Sequence, residues 1–143
     1  MNYQSIRAAI ENPLLIAYGA LVPPVPVYFD NITAAPPNST TEYIRVNITF
    51  GLTTEPTITT NLDHARGALI IRVFTQKGRG PARNQELIDV ATGVLETLTS
   101  TLKPASGLFM RTGQITGPTF SATEDAPHFV GRIETSFQAT VLT

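Results

Sequence analysis

Cysteine is absent from the 143 residues. That removes disulfides, thiolate nucleophiles and Cys-based metal sites, and is neutral about redox compartment. Histidine is almost absent: His64 and His128 are the only two, and metal centres normally want more clustered His and carboxylate ligands than that. No serine sits in a Gly-x-Ser-x-Gly context, so the strained strand-to-helix turn that exposes a hydrolase nucleophile has no candidate. Charge is scarce too. Asp, Glu, Lys and Arg make up 15% of the chain, where about 25% is usual for a soluble domain. An outer surface that meets another protein explains this, although a Thr-rich β surface would look similar.

The net charge is −1, so bulk electrostatics do not announce a nucleic-acid binder. The distribution is uneven. Residues 61–143 hold eight of the ten basic residues, and the nearest thing to a basic cluster is Arg72, Lys77, Arg79 and Arg83. Residues 14–27 form an apolar run, but Gly19, Pro23, Pro24 and Pro26 break it, and it is too short to span a membrane. No signal peptide is visible, and there is no internal repeat. The length suits one domain over residues 1–143.

What is present is organised around residues 68–98. Leu69, Ile71 and Val73 face one side of an extended run and Ile70 and Phe74 the other, with Arg72 between them. Apolar residues on both faces predict a central strand covered on both sides, the second cover being a neighbouring subunit in a ring. A basic glycine loop, Lys77-Gly78-Arg79-Gly80, leads to Pro81 and a helix. Leu87, Val90 or Ala91, Val94 and Leu98 are its expected buried stripe, flanked by Ile88 and Leu95; Asn84, Gln85, Asp89, Thr92 and Glu96 are the expected wet side. Pro104 is the expected stop.

Asn2 is a candidate cap for a first helix, in which Ile6, Ala9, Ile10, Leu14 and Ala17 or Tyr18 recur at helical spacing; Pro13 makes this either one kinked helix over about 3–20, the preferred reading, or two pieces re-capped at Asn12 with Pro13 at the first position. Residues 25–29 read as a short edge strand, because Pro26 cannot donate to a ladder. Residues 30–41 read as a surface loop, and the glycosylation-like triplets at Asn31, Asn38 and Asn47 as chance in a Thr-rich chain. Residues 43–50 alternate cleanly, with Ile44, Val46, Ile48 and Phe50 on one side. The connection from Leu52 to Arg66 is long, either an arm to a neighbour or two further short strands. Residues 108–112 read as a strand turned by Gly113, 115–120 as a looser extended segment, and 129–141 as a long closing strand suited to pair with the central one. The order predicts an α+β fold: a mostly antiparallel sheet of about 4–6 strands with two helices packed on one face.

The candidate sites are thin. Asp63 and His64 are neighbours on extended chain and point apart, so His64 reads as a loop residue. Glu124 and Asp125 beside His128 read as polar loop. The 77–80 loop lacks the phosphate-loop order, its Lys preceding the glycines. No catalytic, metal or cofactor residue is assigned, and the chain does not read as an enzyme. The rival from another class, a ligand-binding or hydrolytic α+β domain, would need a convergent polar constellation.

Three blocks carry a family likeness: the helix with Ile6, Arg7, Ala8, Ala9, Ile10, Glu11, Asn12, Pro13, Leu14 and Leu15; the strand from Tyr43 to Gly51; and the stretch from Arg66 and Gly67 through Arg72 and Phe74 to Lys77, Arg79 and Gly80. In these, in the closing strand and in element order, the chain resembles the tail terminator proteins of long-tailed bacteriophages, the group related to the lambda tail terminator. The resemblance implies a structural virion protein of the tail and neck, assembled in the host cytoplasm. It would be a ring of six copies that caps the tail tube, stops tube polymerisation and joins the tail to the head. Its implied partners are copies of itself, the tail tube protein and a head-completion or neck protein, with DNA passing through the ring without sequence-specific binding and no membrane contact. Carried over by position, Thr53, Glu55, Ile58, Arg66, Lys77, Arg79 and Arg83 become candidate subunit or partner contacts, and Arg66, Lys77 and Arg79 candidate lumen residues facing DNA. Another neck ring protein, or the same job in a prophage or contractile injection machine, would share the pattern.

Overall fold

The structure, a computed structural model, describes residues 3–30, 42–54, 62–76, 78, 81–100, 102–103, 108–121 and 128–142. The elements in chain order are α1 (Tyr3–Gly19), β1 (Val27–Tyr28), β2 (Tyr43–Thr54), β3 (Leu62–Gln76), α2 (Ala82–Ser100), β4 (Leu102–Lys103), β5 (Leu108–Ser121) and β6 (His128–Leu142). They make one six-stranded sheet in the order β1-β2-β3-β6-β5-β4, antiparallel except for the β1–β2 pair. Both helices lie on one face, so the fold is α+β as expected.

Register explains the layering. Ile44, Val46 and Ile48 of β2 stand opposite Val73, Ile71 and Leu69 of β3, which in turn meet Gly131, Ile133 and Thr135 of β6. With a period of two, these residues share one face, and the seven isoleucines, valines and leucines among them are all buried beneath the helices. β3 is central, and β6 is its partner throughout.

In α1, Ile6, Ile10, Leu14 and Tyr18 recur every four residues, and each has no exposed surface. The helix runs unbroken through Pro13. Tyr18 Oη donates to the Leu87 carbonyl at 2.6 Å, joining the two helices. Burial pushes this phenol well above its ordinary value, against a weaker opposing hydrogen bond with the Ala91 backbone. The phenol therefore stays protonated and able to donate.

Several expectations need correction. Asn84 is buried, not wet: its Nδ2 donates to the carbonyls of Val73 and Phe129, at 2.9 and 3.3 Å, and to Thr75 Oγ1 at 3.1 Å. It clamps the start of α2 onto β3 and β6. The buried stripe is Leu87, Ile88, Ala91, Leu95 and Leu98, with Val90 and Val94 only half-buried at its flank. The helix is rotated towards Asn84 because this amide finds acceptors in the sheet that water would otherwise supply. Gly113 does not turn the chain. β5 continues through it with register shifts between Thr112 and Ile115 and between Thr116 and Thr119, and the buried Thr135 hydroxyl sits within bonding distance of the Gly113 and Gln114 carbonyls freed there. His64 is a strand residue on β3, its Nδ1 2.8 Å from Thr140 Oγ1. His128 begins β6 and is buried edge-on to the rings of Tyr43 and Phe74. Neither is a loop residue.

The 52–66 connection is largely strand, since β2 continues to Thr54 and β3 starts at Leu62. The sheet outruns its helical cover: fifteen residues of β3 extend about 50 Å, whereas nineteen residues of α2 extend about 28 Å. The expected cap Asn2, the 31–41 loop, Glu124, Asp125 and the Pro104 stop fall outside the described residues.

Gly67 stands between Phe50 and Phe137 in adjacent register, and the two rings meet edge-to-face across it with centroids 5.7 Å apart. A Cβ at Gly67 would collide with the Thr49 carbonyl oxygen and the Phe137 ring. Gly67→Ala is therefore expected to cost about 1–3 kcal/mol through overpacking, read as a lower midpoint in chemical denaturation. An unchanged midpoint would show that Phe137 shifts freely and that its ring is not held.

Candidate interaction surfaces

Of the sequence-derived contact residues, Thr53, Arg66 and Arg83 are described, and these three do not converge. Thr53 ends β2 on the helix side, and its hydroxyl lies 2.6 Å from the Tyr3 hydroxyl, which fastens α1 to that strand. Arg83 pairs with Glu42 at 2.8 Å and Glu86 at 3.2 Å; the hydrogen bond to Glu42 is the main reason its guanidinium is held even more firmly protonated than usual. Arg66 is exposed on the opposite, helix-free face. Glu55, Ile58, Lys77 and Arg79 lie outside the described residues. Gly78, between the last two, adopts φ +87°.

The sequence gives no motif for Asp30, yet the structure makes it a junction. Its carboxylate accepts from Arg7 at 2.7 Å, Asn47 Nδ2 at 2.7 Å and the Ile48 N–H at 3.0 Å. Arg7 also reaches Glu11 at 3.1 Å. This ties α1, the segment after β1 and the outer side of β2 together. Burial is the largest single influence on the Asp30 carboxyl and opposes ionisation. The bonds from Ile48, Arg7 and Asn47 together outweigh it and hold the group below the usual carboxylate range. Among the described residues, no group of three or more His, Cys, Asp or Glu is placed to hold a metal ion.

Three surfaces remain. The first is the outer edge of β5. β4 covers only Leu108 and Phe109, and from Met110 to Ser121 no described strand pairs with the outer side. Such an edge is a template for another chain. Gly117, at φ +105°, and Pro118, which has no N–H, interrupt it. Beside it a groove of about 530 Å³ runs between α2 and β5, floored by Ile88, Ile115 and Ile133 and rimmed by Asp89 and Glu96.

The second is apolar. Leu15 and Ile16 of α1 are 49% and 71% exposed, and Val22 just beyond is 97% exposed. These side chains offer apolar surface that a neighbouring molecule could bury.

The third is the helix-free face of the sheet. Even-numbered residues of β3 and β6 point there, with odd-numbered residues of β2 from Tyr43 to Thr49 and, in β5, Arg111, Thr116 and Thr119, the parity changing at each register shift. Arg45, Arg72 and Arg132 stand in a row across β2, β3 and β6. Further along, Arg66 and Arg111 flank Gln138 on the two strands beside β6, and with Ser136 they line a depression of about 380 Å³. Among the described side chains on this face the one carboxylate is Glu134, 3.2 Å from Arg132. Arg72 donates to Asn47 Oδ1 at 2.8 Å. At the other end Tyr43 and Phe74 stack with centroids 4.3 Å apart. Of the basic cluster expected at Arg72, Lys77, Arg79 and Arg83, Arg72 belongs to this face and Arg83 pairs with Glu42 and Glu86 on the helix side, while Lys77 and Arg79 lie outside the described residues; the arginines on this face are brought together by cross-strand register.

The chain matches no family model and no curated protein. Among solved structures, one that carries no descriptive name aligns over 97% of this chain and 96% of its own, with a TM-score of 0.60 and 24% identity. The likeness runs end to end and concerns the α+β fold.

The Asp30 junction has a pH signature. A carboxyl held below its unfolded value of about 3.9 adds stability above that value, and this is lost as pH falls through the lower folded value. Asp30→Asn is expected to cost about 1 kcal/mol near neutrality, since the partly exposed site is screened. The gap should close as pH drops below about 4. A gap that persists undiminished at the lowest accessible pH would mean that packing, and not charge, is what Asp30 contributes.

Proposed function

We propose that this protein is a non-enzymatic structural subunit that closes into a ring and acts as a phage tail terminator: it caps the tail tube, stops its growth and joins the tail to the head. The observation that carries this reading is the outer edge of β5, which over Met110–Ser121 pairs with no described strand. An edge on one side and a different surface on the other suit a head-to-tail contact, and such contacts close into rings when the rotation permits. The exposed Leu15, Ile16 and Val22 and the apolar-floored groove beside β5 add surface that a neighbour would bury. The low charge content is in keeping with this. Termination is then geometric: one face of the ring matches the last tube layer and the other offers no site for a further tube subunit. The six-copy ring, the tail tube and neck partners and the virion location come from the family resemblance.

The test is mass by light scattering over a range of concentrations, with and without isolated tail tubes. A discrete closed ring, or capture of the protein at tube ends, is the expected result. A monomer at every concentration that ignores tubes overturns the proposal, and capture by the portal side of the head would make it a different neck protein. Ile16→Glu should leave folding stability within about 0.5 kcal/mol, as exposed substitutions do, while weakening assembly at least tenfold. Unaltered assembly would take the α1 patch out of the interface.

A further inference from the structure

We infer that the helix-free face of the sheet is a docking surface for the phosphate backbone of double-stranded nucleic acid, recognised without regard to sequence. Five of the chain's eight arginines, Arg45, Arg66, Arg72, Arg111 and Arg132, are on this face. The row of Arg45, Arg72 and Arg132 spans about 10 Å across three strands. The Arg66–Arg111 pair lies six residues further along β3 and β6, or about 20 Å away. Like charges set directly opposite one another cost stability in a sheet, so folding alone gives no reason to gather them. A duplex presents a charge for every ~1.7 Å of axis, or about twelve over the length of this array.

The details favour phosphate over other anions. All five cations are arginine, whose planar fork matches phosphate in a bidentate way that lysine does not. An acidic surface on a second copy is a poorer match. Among the described side chains, Glu11, Asp30, Glu42, Glu86 and Glu134 already face arginines of their own subunit, which leaves Asp89 and Glu96 at the groove rim. Single strands are usually held by bases stacking on free aromatic faces. Here Tyr43 and Phe74 stack on each other, with planes 4° apart. The array carries no base-reading element, so sequence preference is not expected.

This inference stands on the sheet face and does not need the ring. Where the ring reading also holds, it identifies the surface that meets the DNA. The test is fluorescence anisotropy with short duplexes of two unrelated sequences at 50 and 200 mM salt. Binding should be alike for both sequences and should fall about a hundredfold between those salts, as expected for about four neutralised phosphates. Arg72→Gln with Arg132→Gln should weaken binding at least tenfold and reduce the salt slope by about two. Arg66→Gln with Arg111→Gln, at exposed positions, gives an independent second variant should the first pair unfold. Arg83→Gln, on the helix side, should bind as the parent does.

The inference is overturned if the parent fails to bind duplex at 50 mM salt, or if neither sheet-face pair weakens binding. It is equally overturned if these variants change the assembly mass while duplex binding is untouched, since the arginines then serve a second copy. Duplex binding by a protein that stays monomeric and ignores tubes would remove the ring reading alone. A ring that caps tubes but binds no duplex would remove this inference alone.

Discussion

The alternation along β3 is the constraint from which the rest follows. Its odd-numbered side chains, Leu69, Ile71 and Val73, have almost no exposed surface and need a cover; α2 supplies it, with α1 packed alongside. Its even-numbered side chains, Arg66, Ala68, Ile70, Arg72 and Phe74, are too mixed to demand a second layer. A slip of one residue would exchange the two sets and place Arg66 and Arg72 under the helices. The register is held on both sides, by eleven pairings with β2 and fifteen with β6, so the chemistry of each face is settled by the same ladder that holds the core.

The helices are fixed by a few polar groups. Asn84 positions the start of α2, Tyr18 locks the end of α1 to the second turn of α2, and Arg7 with Asp30 ties α1 to the edge of the sheet. Gly131 completes the first of these: a Cβ there would meet the Asn84 side chain and Ile88. The glycine is the space into which the amide fits, which is why a polar residue could replace the apolar one that helical periodicity calls for.

The element order, the central position of β3, the edge position of β1 and the pairing of β6 with β3 were legible in the chain because each rests on period or on proline. Residues 43–50 and 129–141 alternate without interruption, and Pro26 forbids a central ladder. What escaped depends on partners far away in sequence. Asn84 looks like any polar residue on a helix until Val73 and Phe129 are placed beside it. Asp30 looks like the start of a loop until Asn47 and Ile48 return past it. Gly113 carries a strong turn signal locally, but the Thr135 hydroxyl meets the carbonyls of the irregular stretch and lets β5 run on. The arginine array is the clearest case: its members are up to 87 positions apart, from Arg45 to Arg132, and no window along the chain could reveal it.

The row of Arg45, Arg72 and Arg132 also has a consequence for the protein by itself. Mutual repulsion of cations held side by side is a load the fold carries at all times, and dissolved ions lighten it by screening. The same ions compete with a polyanion for the surface. Folding and docking are thus set against each other by ionic strength: the medium in which the subunit is most comfortable alone is the one in which its grip is weakest, and a bound polyanion takes over the relief that the dissolved ions provide, returning it as added stability of the folded chain.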